Sequence, residues 1–211
     1  MTTRQNAYYE RTRDGETSPL VQQATTLAKT AIHEQSLVNV AVDCGCGSGR
    51  HLAYLRDQGF EVHGFDIEPD AIRWCEDRFN GDTSVHLDVA SFETYAYPKA
   101  ALVMAFASLF FCPADGFEEA WSRIVSSIVP GGIFFGMFMG TRDEWATRET
   151  SFGSTLTFDE TGLRSCFTPF EIIDWHERDE EGGTALGARK HWHTYSVTAR
   201  KVHHAVASSN A

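Results

Sequence analysis

The chain has 211 residues, enough for one domain with a hydrophobic core, and 42% of them are apolar. Its 18 Lys and Arg residues against 29 Asp and Glu residues give a formal net charge of −11 without any basic run, which argues against nucleic-acid and anionic-membrane partners. No apolar run reaches the ~20 residues of a membrane span, and the N-terminus lacks the apolar segment of a signal peptide, so we expect a cytoplasmic protein.

The first part of the chain alternates predicted helices and strands. Ser18-Pro19 is typical of a helix start, and an apolar stripe continues that helix. Short β-branched runs then alternate with segments of helical periodicity, which predicts a parallel sheet with helices on both faces. The predicted strands cover residues 37–42, 61–67, 83–89, 99–107 and 133–139, and the predicted helices between them cover 49–58, 68–79 and 116–128.

The pattern changes after residue 140. A polar, irregular segment leads to a short predicted helix at 159–166 and then to two strands at 170–176 and 191–201. The acidic glycine loop between those strands predicts an antiparallel hairpin at the sheet edge. The fold class is therefore α/β, with a doubly wound, seven-stranded mixed sheet. The predicted boundaries are 1–201 for a single domain, 1–35 for its N-terminal lid and helix segment, and 202–211 for a flexible tail.

A glycine-rich loop, Asp43-Cys44-Gly45-Cys46-Gly47-Ser48-Gly49, follows the first predicted strand. Glycines allow a tight turn and let backbone N–H groups approach a ligand closely. The G-x-G-x-G spacing differs from the G-x-G-x-x-G of dinucleotide-binding proteins. Asp43 adds a negative charge beside the loop, which disfavours a pyrophosphate and favours a cationic ligand group such as an α-amino or sulfonium group.

Two more acidic residues end the next predicted strands. Asp66 lies 66 − 45 = 21 residues after Gly45, the distance at which nucleotide-binding sheets place a carboxylate on ribose hydroxyls. Asp88 could accept a hydrogen bond from an adenine amine while Val89 covers the ring. Because ligands of open α/β sheets bind at the carboxyl ends of the strands, these acids predict one nucleotide-type site.

Four motifs, VDCGCGSGR, GFDIEP, HLDV and VPGG, together resemble class I S-adenosylmethionine-dependent methyltransferases over residues 37–140. The resemblance implies a Rossmann-like fold, S-adenosylmethionine as cofactor and a methyl-transfer activity. By that resemblance the methionine moiety would be contacted by Asp43, Gly45, Cys46 and Gly47. The ribose and adenine would be held by Asp66, Ile67, Asp88 and Val89, and we add Phe106, at the end of the fourth predicted strand, to the cofactor site.

Three further stretches, NAYYERTRD, AFASLFF and ARKHWHTYSVTARK, are similar to the tellurite-resistance and thiopurine-type branch of that family. The branch methylates small molecules and metalloid oxyanions, which implies a thiol or a metalloid oxyanion as the acceptor. The chain departs from relatives in which a histidine follows Ser-Leu-Leu, because Ser108 to Cys112 reads SLFFC. It also lacks the Asp/Asn-Pro-Pro-Tyr motif of amino-methylating nucleic-acid enzymes at the fourth strand.

The acceptor should bind over the end of the fourth strand, beneath the N-terminus and the segment after the fifth strand. The predicted lining consists of Tyr8, Tyr9, Ser108, Phe110 and Trp145. The Tyr8-Tyr9 pair is interpreted either as a lid over the cofactor or as a hydrophobic staple for the first helix. Trp145 is interpreted either as packing or as a surface on which the substrate stacks.

His191 and His193 are the candidate general acid/base residues, because a period of two puts both on one face of the last strand with Trp192 opposite. They could equally be polar residues of a half-buried strand face. No metal site is predicted, since no third ligand stands at a suitable spacing. An acceptor that is already anionic, such as a thiolate or tellurite, needs no base, whereas an alcohol or phenol does.

Other functions stay open at this point. One is O- or N-methylation of a small metabolite with His191 or His193 as the base, and another is a nucleotide-binding module without catalysis. An NAD-linked oxidoreductase is disfavoured by the G-x-G-x-G spacing, by Asp43 and by the lack of a Tyr-x-x-x-Lys pair. The five cysteines contain no Cys-x-x-Cys and are interpreted as reduced thiols. The oligomeric state cannot be predicted.

Overall fold

The structure is a computed structural model that describes residues 3–147, 150 and 154–202. Its strands are β1 (Val40–Cys44), β2 (Glu61–Asp66), β3 (Val85–Val89), β4 (Ala100–Ala105), β5 (Ile128–Gly140), β6 (Thr157–Phe158), β7 (Phe170–Gly183) and β8 (Arg189–Lys201). They form one sheet in the order β3-β2-β1-β4-β5-β8-β7, with β6 paired to β5 beside this path. Strands β1 to β5 run parallel, and β8 is antiparallel to both of its neighbours. The predicted seven-stranded mixed sheet with a C-terminal antiparallel hairpin is confirmed. The two-residue strand β6 was not predicted.

The helices of the described residues cover both faces of this sheet. They are α1 (Thr3–Arg13), α2 (Pro19–Gln35), α3 (Arg50–Asp57), α4 (Pro69–Arg78), α5 (Phe117–Ser127) and α6 (Glu160–Cys166). Apolar side chains of α2, α3 and α4 form one buried cluster against the sheet, and those of α5 and α6 form the other. All six residues of β4 are buried, since this central strand is covered on both faces. The carboxyl ends of the parallel strands therefore all emerge at one edge, where the glycine loop lies.

The C-terminal hairpin is longer than predicted. The segment 179–187 was expected to be a loop, but β7 continues to Gly183 and pairs with β8 as far as Arg189. Acidic side chains on this part of β7 face basic side chains, as in the pair of Asp179 with His191 at 2.7 Å. Cross-strand side-chain hydrogen bonds of this kind stabilise a pairing that a run of acidic residues alone disfavours. The sequence pattern of β7 taken by itself could not reveal this partner.

Helix α1 was not predicted either, because its sequence is polar and has no apolar stripe. Contacts with α4 fix its C-terminal end: the Arg78 guanidinium donates to the Arg13 carbonyl oxygen at 2.6 Å and to the Asp14 carboxylate at 3.0 Å. The Arg13 guanidinium also lies 5.1 Å from the centre of the Trp74 ring. Tertiary contacts therefore stabilise a helix that local propensity does not indicate.

Within the described ranges, no helix is both long and apolar enough to cross a membrane. The predicted flexible tail lies outside the described residues, except for Val202. The single domain over 1–201 stays a prediction.

Candidate active site

The glycine loop turns sharply between β1 and α3. Gly45, Gly47 and Gly49 have φ angles of 72°, 54° and 76°, a region in which residues with a Cβ atom are strained. The backbone N–H groups of Gly45 and Cys46 donate to the Phe65 carbonyl oxygen, each at 2.9 Å, and this ties the loop to the end of β2. The loop therefore presents backbone rather than side chains to the space above it.

Asp66 supports this loop from the end of β2. One carboxylate oxygen accepts a hydrogen bond from the Gly47 N–H at 2.9 Å, and the other accepts from the Glu68 N–H at 3.0 Å. Burial raises the pKa of Asp66, although these backbone donors oppose the rise. Because each carboxylate oxygen has a second lone pair, Asp66 can hold the loop and still accept from a ligand hydroxyl.

Asp43 is the other buried carboxylate of this edge, at the end of β1. It is 2% exposed, and its Oδ2 atom has no hydrogen-bond partner among the described residues. Burial and repulsion by Asp66 raise the pKa of Asp43 to about 7, with Arg50 opposing them. A buried carboxylate oxygen without a partner is unfavourable in the protein alone, and a cationic ligand group beside it would remove that penalty.

The ends of β2 and β3 carry exposed apolar side chains. Ile67 and Val89 are 69% and 54% exposed, the two highest values among the large apolar residues described. Asp66 pairs with Val89 in the parallel register between β2 and β3, so Ile67 and Val89 lie at the ends of neighbouring strands. Asp88, which precedes Val89, is also exposed. This arrangement suits a flat apolar ring bordered by a hydrogen-bond acceptor, the environment predicted for adenine.

Helix α1 covers the glycine loop. Tyr9 is 3% exposed, and a Cβ atom added to Gly47 would lie 3.2 Å from its ring. Burial is the largest cause of the raised pKa values of both Tyr8 and Tyr9. Of the two interpretations of the tyrosine pair, a lid and a staple, the observed position of Tyr9 over the loop favours the lid.

A cleft of about 930 Å³ opens between the glycine loop, α1 and the hairpin. Nine predicted site residues line it: Tyr8, Tyr9, Gly45, Cys46, Gly47, Phe106, Ser108, Phe110 and Trp145. The other predicted cofactor residues, Asp43, Asp66, Ile67, Asp88 and Val89, lie outside its lining, at the strand ends described above. The structure thus gathers all of the predicted cofactor and pocket residues at the carboxyl edge of the sheet.

His191 and His193 are not brought to this cleft. The residues of β8 that line it are Arg189, at the start of the strand, and then Trp192, Thr194 and Ser196. Because successive side chains of a strand alternate between its faces, His191 and His193 point from the face opposite to Trp192. His193 is fully buried, with its ring nitrogens 3.0 Å from the Arg142 backbone N–H and 3.0 Å from a Glu177 oxygen. The expectation that they act as acid/base residues has no support in this geometry, because strand alternation places Trp192, and not the histidines, toward the cleft.

His51 lines the cleft and was missed by the sequence reasoning. It is 7% exposed, its ring meets that of Phe106 edge-on at 5.0 Å, and its Nε2 atom has no partner among the described residues. Burial, with Arg50 adding to the effect, lowers the pKa of His51 to about 3, so the imidazole is neutral at pH 7. Its position directly after the glycine loop, at the start of α3, was the available signal.

The far wall of the cleft rests on a buried ion pair. The Lys190 ammonium contacts the Asp143 carboxylate, and it lies 4.6 Å and 4.0 Å from the ring centres of Trp145 and Trp192. The two indole rings are 5.4 Å apart. Trp145 therefore packs against this pair and also lines the cleft, and substrate stacking on its ring stays a prediction.

The thiols near the cleft are poor nucleophiles. Burial raises the pKa of Cys44, and a hydrogen bond with Cys75 is the main cause of the raised pKa of Cys46. The pKa of Cys112 rises to about 12 through burial and the nearby Glu93 carboxylate. Because the thiolate is the reactive form, these side chains act as small apolar residues here. Ser108 is also engaged, since its hydroxyl donates to the Cys44 carbonyl oxygen.

Comparisons with known proteins agree with this architecture. Residues 41–132, from β1 to the beginning of β5, match a family model described as a methyltransferase domain. No curated protein sequence is similar enough to this chain to count as a match.

Several solved structures share the fold. Haemophilus influenzae TehB is 17% identical with a TM-score of 0.67, over 82% of this chain, and the chain spans only 61% of its length. The Burkholderia thailandensis 1,6-didemethyltoxoflavin-N1-methyltransferase, with bound 1,6-didemethyltoxoflavin and S-adenosylhomocysteine, is 18% identical over 96% of this chain and 92% of its own, with a TM-score of 0.62.

The N-methyltransferase NodS of Bradyrhizobium japonicum, in complex with S-adenosylhomocysteine, is 13% identical over 93% of this chain and 98% of its own, with a TM-score of 0.63. Because these identities are low, the structural similarity shows the fold alone. The match to the family model is what indicates a methyltransferase activity. The stretch that is similar to a methyltransferase domain is thus residues 41–132, with the glycine loop at its start.

Proposed function

We propose that this chain transfers a methyl group from S-adenosylmethionine to a small-molecule acceptor bound in the cleft. The observation that carries the proposal is the buried Asp43 carboxylate, whose Oδ2 atom has no partner among the described residues, beneath a loop of three positive-φ glycines. A nucleotide phosphate would be repelled there, whereas the cationic end of S-adenosylmethionine would supply the missing partner. Several solved structures of this fold contain S-adenosylmethionine or its demethylated product.

The residues present fit this cofactor along its whole length. The methionine end would lie beside Asp43 and against the backbone of Gly45, Cys46 and Gly47. The ribose hydroxyls would donate to Asp66. The adenine would lie between Ile67 and Val89, whose side chains are otherwise exposed to water. Asp88 would accept from the adenine amine, and Phe106 would border the sulfonium side of the site.

The cofactor supplies an electrophilic methyl group on a sulfonium, and the chain mainly has to align an acceptor with it. Alignment of this kind contributes about 7–11 kcal/mol in the best cases. Tyr9 and α1 cover the glycine loop and exclude water from it. On the acceptor side the wall of Trp145 and Trp192 is held in place by Lys190, so the acceptor meets a rigid surface.

The acceptor of this proposal is a soft anion, a thiol or metalloid oxyanion, as in the tellurite-resistance and thiopurine-type branch. Two features support it. His51, whose pKa is lowered to about 3, is a weak base, and Tyr8 and Tyr9 stay protonated at pH 7 because their pKa values are raised. These side chains therefore favour an acceptor that is already ionised. Arg178 of β7 and Arg189 of β8 line the cleft and can attract an anion to it.

A two-part experiment tests this function. Calorimetric titration with S-adenosylmethionine, its demethylated product and NAD should show binding of the first two and none of NAD. A methyl-transfer screen over thiols, selenite or tellurite, and phenols should then give turnover with the soft anions. Binding of NAD alone would refute the cofactor assignment, and turnover confined to phenols would refute the acceptor class.

A further inference from the structure

Two histidines and a glutamate share one face of the sheet, on the edge strand β3 and its neighbour β2. Glu61 and His63 are two residues apart on β2 and therefore point to the same face. His63 pairs with His86 in the parallel register between the strands, so their side chains are direct neighbours. The two imidazole rings are stacked, with centres 4.4 Å apart.

The possible ligand atoms of this group lie close together. One Glu61 carboxylate oxygen is 2.9 Å from His86 Nε2 and 3.8 Å from His63 Nε2, and all three ligand atoms lie within 4.8 Å of one another. Ligands bound at about 2.0–2.1 Å to a tetrahedral zinc ion are separated by about 3.4 Å. The two separations from the Glu61 oxygen, 2.9 Å and 3.8 Å, are each within about half an ångström of that value.

A fourth residue fixes the orientation of one imidazole. The Tyr95 hydroxyl, on a side chain that is 3% exposed, lies 3.3 Å from His63 Nδ1. In the tautomer in which His63 Nδ1–H donates to the Tyr95 oxygen, Nε2, the atom that faces Glu61, carries no proton and is available as a ligand.

We propose that Glu61, His63 and His86 form a binding site for a divalent transition metal, with zinc as the best fit. Two imidazoles and one carboxylate are a ligand set that zinc prefers, and solvent reaches the site to supply a fourth ligand. The ion would join the edge strand β3 to β2. Because Asp88 follows His86 by two residues on the same strand, the ion would also stabilise the strand end predicted to hold adenine.

A second group of possible ligands, Glu177, Asp179 and His193, differs in one decisive respect. The Arg142 guanidinium lies 2.8 Å from the Glu177 carboxylate and 2.6 Å from that of Asp179. Arginine stays protonated and occupies the position that a cation would need. Among the described residues, no lysine or arginine forms an ion pair with Glu61.

The test is a titration of the full chain with Zn²⁺ by calorimetry and with Co²⁺ by visible absorption. We expect one ion per chain at this site, with affinity reduced at least about tenfold in His63→Ala and in His86→Ala. Tyr95→Phe should weaken binding by about tenfold, the effect typical of losing a partner that orients a ligand. Binding of S-adenosylmethionine by each variant serves as the check that it is folded.

Two controls make the result specific. His33→Ala removes an exposed histidine of α2, and the double variant His203→Ala/His204→Ala removes the adjacent histidine pair near the C-terminus. Both should bind Zn²⁺ as the unmodified chain does. Unchanged zinc affinity in folded His63→Ala and His86→Ala, or loss of zinc binding in either control, would overturn the proposal.

Discussion

Two buried aspartates, Asp43 and Asp143, are each 2% exposed, yet they stand in opposite environments. Asp143 is paired with Lys190 and accepts hydrogen bonds from the backbone N–H groups of Trp145 and His193, both at 2.9 Å. One oxygen of Asp43 has no partner among the described residues. The wall of Trp145, Trp192 and the Lys190–Asp143 pair, which we call the acceptor wall, therefore satisfies its buried charge internally. The strand ends around the glycine loop and Asp43, which we call the cofactor edge, leave one buried charge unsatisfied. The difference indicates which region is rigid by itself and which is completed by a ligand.

The largest effect on stability should come from the acceptor wall. Lys190→Met keeps the length of the side chain but leaves the Asp143 carboxylate buried without its cation, and this should lower the free energy of unfolding by about 3–5 kcal/mol. Urea unfolding measures the change. Lys29→Met, at an exposed lysine of α2, is the matched control and should change it by less than about 0.5 kcal/mol.

The double variant Lys190→Met/Asp143→Asn sharpens this result, because it removes both charges together. It should be more stable than Lys190→Met alone. A single Lys190→Met variant that unfolds at the same urea concentration as the unmodified chain would show that the ion pair contributes nothing to the wall.

At the cofactor edge, removal of the buried charge should weaken ligand binding. Asp43→Asn removes the charge that would meet the cationic end of S-adenosylmethionine, and we expect a loss of about 1.5–3 kcal/mol, or about 10–150-fold in Kd. Asp88→Asn, at an exposed carboxylate, should weaken binding less. Equal losses in the two variants would contradict the special role of the buried carboxylate.

Without ligand, Asp43→Asn should be more stable than the unmodified chain, by an amount that depends on pH. The pKa of Asp43 is raised to about 7, so between its ordinary value of 3.8 and about 7 the folded chain binds more protons than the unfolded chain. Stability from this group therefore falls as pH rises through that window. Asp43→Asn removes the effect, and its Tm should exceed that of the unmodified chain more at pH 8 than at pH 5. A Tm difference that is constant with pH would contradict this.

The cofactor edge could be predicted from sequence and the acceptor wall largely could not. The glycine loop, Asp43 and Asp66 lie at strand ends, where their chain neighbours determine their position. The faces of β8 depend on its pairing with β7 and β5, and strand periodicity separates His193 from Trp192 without saying which one faces the cleft. Helix α1 was missed for a related reason, since its contacts with α4 are distant in sequence.

The smallest effect should follow from substitution of a histidine outside the cleft. His191 is paired with Asp179 on the far face of the hairpin, so His191→Ala should change turnover on a soft anionic acceptor by less than about tenfold. His51→Ala, inside the cleft, is the informative comparison and should change turnover more. Near-complete loss of activity in His191→Ala with normal cofactor binding would restore its interpretation as a general base.

Proton release on cofactor binding tests the central claim, that Asp43 meets the cationic group of S-adenosylmethionine, most directly. A pKa near 7 means that about half of the Asp43 side chains carry a proton at pH 7, and a cation beside the carboxylate would expel it. Calorimetric titrations at pH 7 in buffers of different ionisation enthalpy should show about 0.5 proton released per S-adenosylmethionine bound, and less release in Asp43→Asn. Proton release that is identical in the two proteins would contradict the claim.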